Sequence, residues 1–139
     1  DADAVAAETK IAPIFARFRS KAVADLIHDA DAQRLGASVF ANNCATCHGY
    51  EGRGDGGGAK NLDPKPRDFQ TAAFLYSSVG AGELPTDNDL RNTIREGVTS
   101  RGMPAWGGLR SEDLDALVSY IKTFSSRWQP DADPPKPQT

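Results

Sequence analysis

The sequence lacks any apolar run that approaches the roughly 18 residues of a membrane-spanning helix, so we expect a soluble protein. It also lacks an excess of positive charge: 16 Lys and Arg residues stand against 19 Asp and Glu residues, for a formal net charge of -3. Nucleic-acid binding is therefore not indicated. Side chains that bind soft metals are scarce, with two cysteines, two histidines and one methionine. What is present is 139 residues, 39% of them hydrophobic, which suffices for one folded unit with one core.

The spacing of apolar residues predicts helices in the N-terminal third of the chain. In the alanine-rich residues 1–30, apolar side chains recur at helical spacing at Ile11, Ile14, Phe15 and Phe18. A second helix is expected from about residue 31 to 43, where Gly36 and Phe40 share one face. The chain begins at Asp1 with neither a methionine nor an apolar leader, which fits an exported protein after removal of its signal and equally a shortened chain.

Residues 49–82 are dominated by Gly, Pro, Asp and Lys and predict a long loop with no alternating strand pattern. Beyond it, Thr86 is a candidate N-cap for a short helix that ends at Gly97. A last helix is expected from Ser111 into Phe124. The chain should therefore divide into an N-terminal helical extension (1–30), an all-α domain (31–127) and a proline-rich tail (128–139). So long a loop cannot pack by itself in a small domain, so we expect a bound group at its centre.

The segment CATCH, residues 44–48, identifies that group. A Cys-x-x-Cys pair occurs in redox-active disulfides, in zinc sites and in thioether attachment of haem. A thioredoxin-like pair needs a preceding strand, and a zinc site would have to use His28 with the adjacent Cys47 and His48. The histidine directly after the second cysteine is typical of c-type haem, with the thiols joined to the porphyrin and His48 below the iron.

The only methionine, Met103, is the candidate sixth ligand. It lies in SRGMPAWGG, a loop between two predicted helices, where Gly102 permits close backbone approach and Pro104 keeps the following chain extended. Trp106 offers an indole N–H to a haem propionate. A ligand on both faces of the iron is typical of an electron carrier, whereas an open position is typical of sensors and enzymes.

These motifs together resemble a class I cytochrome c over residues 31–126: Gly36 and Phe40 in the second predicted helix, CATCH, the Met103–Trp106 segment, and Tyr120 in the last helix. The resemblance implies the cytochrome c fold, with three to five helices wrapped around one covalently attached haem and an extra N-terminal segment. It implies that Gly36 packs against the last helix near Leu117 and Tyr120. It also implies that a backbone carbonyl, here of Pro64 or Pro66, accepts a hydrogen bond from His48 Nδ1.

The expected function is one-electron transfer in the bacterial periplasm, between redox proteins whose identity the sequence does not give. Docking on a larger oxidoreductase and a gas sensor or enzyme with a labile methionine ligand are the alternatives. Arg67 is a further candidate for cofactor binding. With Lys60, Lys65 and Arg101 it lies in the loops expected near the haem edge, where these cations form either a docking surface or ordinary solvated charges.

Overall fold

The structure, a computed structural model, describes residues 23–74, 77–80 and 82–128. These residues form α1 (Val23–Leu26), α2 (Ala30–Asn43), α3 (Ala45–His48), α4 (Asp87–Glu96) and α5 (Ser111–Lys122). Short 3-10 turns precede and follow α5 and interrupt the long loop before α4. Their only β-structure is an isolated bridge between Val98 and Met103. The all-α prediction is thus confirmed. The helix predicted around Ile11–Phe18 and most of the proline-rich tail lie outside the described residues.

The packing of α2 against α5 organises the domain. A Cβ atom added to Gly36 would lie 2.3 Å from the Ala116 carbonyl oxygen and 2.7 Å from Tyr120 Cβ. The two helices can therefore approach this closely only because the residue at the crossing has no side chain. The predicted packing of Gly36 near Tyr120 is confirmed.

A partly buried polar link holds a third helix at the same crossing. Gln33 Nε2 donates hydrogen bonds to the Leu26 carbonyl and to Ser119 Oγ, each at 3.0 Å. Ser119 is fully buried and its hydroxyl donates in turn to the Ala116 carbonyl at 2.8 Å. The link joins α1 to α2 and α5, and Val23 and Leu26 of α1 are buried as well.

The start and end of α4 follow the predicted signals. Thr86 Oγ1 accepts a hydrogen bond from the Asp89 backbone N–H, and the Asp89 carboxylate accepts from the Thr86 N–H, which together form a capping box. The hydrogen bond from the Thr86 N–H, followed by contributions from Ser78, holds the pKa of Asp89 below its ordinary value. Gly97 ends the helix at φ 67° and ψ -176°, a conformation that only glycine adopts readily.

The core contains aromatic side chains from α2, from the long loop and from the C-terminal segment. Phe40 lies 5.2 Å from Phe124, 5.5 Å from Tyr120 and 6.3 Å from Phe69 between ring centroids. Residues 49–82 contain one short 3-10 turn, Gly57–Ala59, and otherwise run as a loop in the part described, as predicted. No helix within the described ranges combines the length and apolar character needed to cross a bilayer.

Candidate haem site

One pocket brings together every candidate site residue. It lies between α3, the long loop and the segment after α4, and its lining is mostly apolar. The candidate residues that line it are Cys44, Cys47, His48, Pro64, Pro66, Arg67, Met103 and Trp106. Side chains that the sequence did not single out, including Leu62, Thr93 and Val98, complete the wall. Residues as far apart in the sequence as Cys44 and Trp106 therefore face a single space.

Both cysteines are half-buried in the wall of this pocket, and no disulfide joins them. Cys44 caps α2, where its backbone N–H donates to the Phe40 carbonyl at 2.8 Å, and the following turn α3 brings Cys47 to the same wall. Burial, and to a lesser extent the proximity of Cys47, raises the pKa of the Cys44 thiol to about 11. In this environment Cys44 is a neutral thiol at neutral pH.

The imidazole of His48 is held by two contacts. Its Nδ1 lies 3.3 Å from the Arg67 carbonyl oxygen, and because a carbonyl can only accept, Nδ1 carries the proton. Its ring stacks on Phe69 with centroids 4.5 Å apart and planes 15° from parallel. Burial lowers the pKa of His48 below its ordinary value, although the Arg67 hydrogen bond opposes this. A neutral ring with Nδ1 protonated leaves Nε2 as the nitrogen free to bind a metal.

The expectation that a proline carbonyl accepts this hydrogen bond is wrong. Pro64 and Pro66 both line the pocket, but the acceptor is the carbonyl of Arg67, one residue beyond the second proline. The reason lies in the loop's path: the Phe69 N–H donates to the Gly52 carbonyl at 2.7 Å. This bond holds the segment after Pro66 against the glycine turn, so the Arg67 carbonyl meets the ring.

A small closed loop places Met103 on the pocket wall. The Val98 N–H donates to the Met103 carbonyl at 3.0 Å and the Met103 N–H returns a bond to the Val98 carbonyl at 3.1 Å. Gly102 turns the chain at φ 87°. A Cβ on Gly97 would lie 2.6–2.7 Å from the backbone of Met103, Pro104 and Ala105, so glycine is required for this loop to pack.

The charges at the pocket are of one sign. Lys65, Arg67 and Arg101 line it, and within the described residues no carboxylate does. Lys65 Nζ also donates to the Ala59 and Lys60 carbonyls, each at 2.7 Å, which keeps its charge near the rim. A flat apolar ligand with acidic groups at its edge fits this distribution.

The donor set fits haem better than it fits a zinc ion. Imidazole, thioether and two thiols line one apolar space, as iron porphyrin attachment requires. Throughout residues 23–74, 77–80 and 82–128, no three His, Cys, Asp or Glu side chains come together in a way that could hold a metal ion. The zinc hypothesis therefore lacks a group of ligands within the described residues. The thioredoxin-like hypothesis lacks its strand, because the element that precedes Cys44 is the helix α2.

Comparison with known proteins agrees with the assignment of this pocket to haem. Residues 31–121 match the family described as cytochrome c oxidase, cbb3-type, subunit III. The cbb3-type oxidase subunit CcoP of Rubrivivax gelatinosus is 41% identical over 86% of this chain and 34% of its own length. The subunit FixP of Azorhizobium caulinodans is 35% identical over 69% of this chain and 28% of its own. The chain thus spans about a third of the length of these oxidase subunits.

Two further relatives lie outside that oxidase. Cytochrome c6 of Euglena gracilis is 36% identical over 63% of this chain and 87% of its own length. A chain of the Kuenenia stuttgartiensis reducing HAO-like protein complex Kustc0457/Kustc0458 is 37% identical, with a TM-score of 0.66 over 73% of this chain and 46% of that one. The chain belongs to the family of cbb3-type cytochrome c oxidase subunit III and is a class I cytochrome c.

Proposed function

We propose that this chain carries single electrons through one haem c, attached covalently by Cys44 and Cys47 and ligated by His48 and Met103. A haem c cofactor with its iron follows from the family. The observation that supports the ligand assignment is the common pocket: the CATCH turn and the only methionine line the same apolar space from separate parts of the chain. The haem supplies a reversible one-electron step between ferrous and ferric iron.

The chain's own residues would keep the ligand geometry constant during that step. His48 is fixed by the Arg67 carbonyl and by the Phe69 ring, and Met103 by its paired backbone hydrogen bonds with Val98. Little rearrangement is then needed when the iron changes its charge. The apolar wall excludes water and, with a soft thioether ligand, favours the ferrous state and a positive reduction potential.

The cations and Trp106 would bind the acidic edge of the cofactor. Lys65, Arg67 and Arg101 supply positive charge at the pocket, and the indole of Trp106 supplies an N–H donor. Trp106 is itself positioned by its backbone N–H, which donates to the Ile94 carbonyl at 2.9 Å. The carboxylates of the haem propionates would then have positive charges and an N–H donor as partners.

A more specific proposal is that the chain acts as an electron-transfer domain or subunit of a larger oxidoreductase. Relatives named as oxidase subunits are about three times as long as the stretch they share with this chain, and the structural relative is part of a complex. The likeness to cytochrome c6, which the chain covers over 87% of its length, favours an independent carrier instead. Both readings place the protein in the periplasm, because bacteria attach haem through thioethers outside the cytoplasm.

Covalent attachment is tested by denaturation. The haem should remain with the polypeptide through a denaturing gel and acidic organic extraction, because thioether bonds are covalent. A variant with Cys44→Ser and Cys47→Ser should lose the pigment under the same treatment. Pigment that leaves the unaltered chain would refute attachment through these residues.

Methionine ligation is tested with Met103→Ala. Loss of the thioether opens one iron position, so the ferrous variant should bind carbon monoxide readily while the unaltered protein resists it. The reduction potential should fall, because the ligand that favours ferrous iron is gone. Leu109→Ala is the matched control, since Leu109 packs against the same core and does not line the pocket. Rapid carbon monoxide binding by the unaltered protein would favour the sensor or enzyme alternative.

A further inference from the structure

The closest ring contact of the candidate ligand His48 is with Phe69, a residue of the long loop. The two rings lie 4.5 Å apart and 15° from parallel, and Phe69 is only 8% exposed. We infer that Phe69 is a positioning residue that sets the plane of the His48 imidazole, and thereby the electronic state of the bound iron. This inference rests on the proposed function.

The hydrogen bond to Arg67 cannot fix that plane by itself. It joins one ring nitrogen to one oxygen at 3.3 Å, which is long for a hydrogen bond, and it leaves the ring free to tilt about the line between the two atoms. A parallel ring against one face of the imidazole prevents that tilt. Arg67 and Phe69 are two residues apart, so one short segment of the loop supplies both restraints.

Phe69 is itself held firmly enough to act in this way. Its N–H donates to the Gly52 carbonyl at 2.7 Å. Its ring also contacts the rings of Phe74 and Phe124, each with its centroid 6.1 Å away and its plane 22° or 23° from that of Phe69. The imidazole and both of these rings thus lie within 23° of parallel to the Phe69 ring, which ties the imidazole to a group of aromatic side chains in the core.

The plane of an axial imidazole matters because its π orbitals overlap with iron d orbitals of one orientation. In low-spin ferric haem this orientation determines how the unpaired spin is distributed over the porphyrin. It is therefore reported by the g-values in electron paramagnetic resonance and by the spread of the haem methyl proton shifts. Contacts beyond the ligand shell tune a metal centre by orienting its ligands.

The experiment compares Phe69→Leu with Phe74→Leu in the haem-loaded protein. Both variants remove an aromatic ring from the same group of nearly parallel rings, but only Phe69→Leu removes a ring that stacks on His48. Phe69→Leu should change the ferric g-values and the spread of methyl shifts and should shift the reduction potential. Phe74→Leu removes only a contact that supports Phe69, so it should change all three by a clearly smaller amount, although both variants lose thermal stability.

Further variants keep the inference testable. Phe69→Tyr retains the ring and should reproduce the unaltered spectra. If Phe69→Leu does not accumulate as folded protein, Phe69→Met, whose unbranched side chain adapts to irregular core space and also lacks a ring, takes its place in the comparison. Equal spectra for Phe69→Leu or Phe69→Met and the unaltered protein would overturn the inference, as would equal changes in the Phe69 and Phe74 variants. Absence of covalent haem or of methionine ligation in the unaltered protein would instead refute the proposed function.

Discussion

Replacing Gly36 with valine would place a side chain where two helix backbones meet. A Cβ atom at this position lies 2.3 Å from the Ala116 oxygen, 2.9 Å from the Ala116 carbonyl carbon and 2.7 Å from Tyr120 Cβ. Separations below 3.0 Å cannot be tolerated, and the atoms concerned belong to the backbone of α5 or to the base of a side chain. The helices must therefore move apart, because no rotamer change at the neighbours relieves the overlap.

The expected cost is that of overpacking a core, about 1–3 kcal/mol. The higher helix propensity of valine relative to glycine returns only a few tenths of a kcal/mol. With the two methyl groups of valine beyond the Cβ atom, a net loss of about 2 kcal/mol is expected, and for a domain of this size that lowers Tm by roughly 6–12 °C.

Thermal unfolding followed by circular dichroism at helix wavelengths measures this loss. The matched control is Gly108→Val, because a Cβ on Gly108 has no heavy atom within 4 Å and the residue does not need a left-handed conformation. The control should unfold close to the temperature of the unaltered protein. If the Gly36 variant also unfolded there, the close crossing of α2 and α5 would be incorrect.

Two further predictions concern the ends of α4. Gly97→Ala should displace the Met103 loop, because the new methyl group would overlap its backbone and φ 67° is strained for alanine, so carbon monoxide should bind ferrous protein faster than in the unaltered chain; equal binding rates would contradict this packing. Asp89→Asn should lower Tm at neutral pH. Because the pKa of Asp89 is held below its ordinary value, the stabilisation is fully present above that value and is lost as pH falls through the lowered pKa. Melting curves of the two proteins should therefore converge in acid, and a constant gap across pH would show that the charge is not responsible.

The helices near the site were predictable because their signals are local. The Thr86 cap, the acidic residue three positions later and the glycine after the last turn all act within α4 itself. The last helix begins at Ser111 as expected, although its N-cap is Arg110, whose backbone N–H donates to Asp113. Met103 and the CATCH turn were predictable as members of one site because few other residue types can ligate haem iron on its two faces.

The path of the long loop was not predictable, because distant contacts determine it. Gly54 lies so close to the Pro66 carbonyl that a Cβ would approach its oxygen to 2.3 Å, and the Phe69 N–H finds its acceptor at Gly52. Neither contact has a periodic signal in the sequence. Two features depend on this path, namely the contact of the Arg67 carbonyl with His48 and the stacking of Phe69 on His48. Neither could therefore be predicted from the sequence.

The two proposed axial ligands are supported by different parts of the structure. His48 depends on Phe69, whose ring belongs to the buried aromatic cluster with Phe40 and Phe124, so changes to its support also change the stability of the core. Met103 depends on a short loop closed by its own backbone hydrogen bonds to Val98, and most of that loop is exposed. Substitutions that alter the methionine side can therefore change ligation while most of the core contacts remain, whereas those on the histidine side cannot. Substitutions in the Val98–Pro104 loop should therefore alter the reduction potential at a smaller cost in core contacts than substitutions at Phe69.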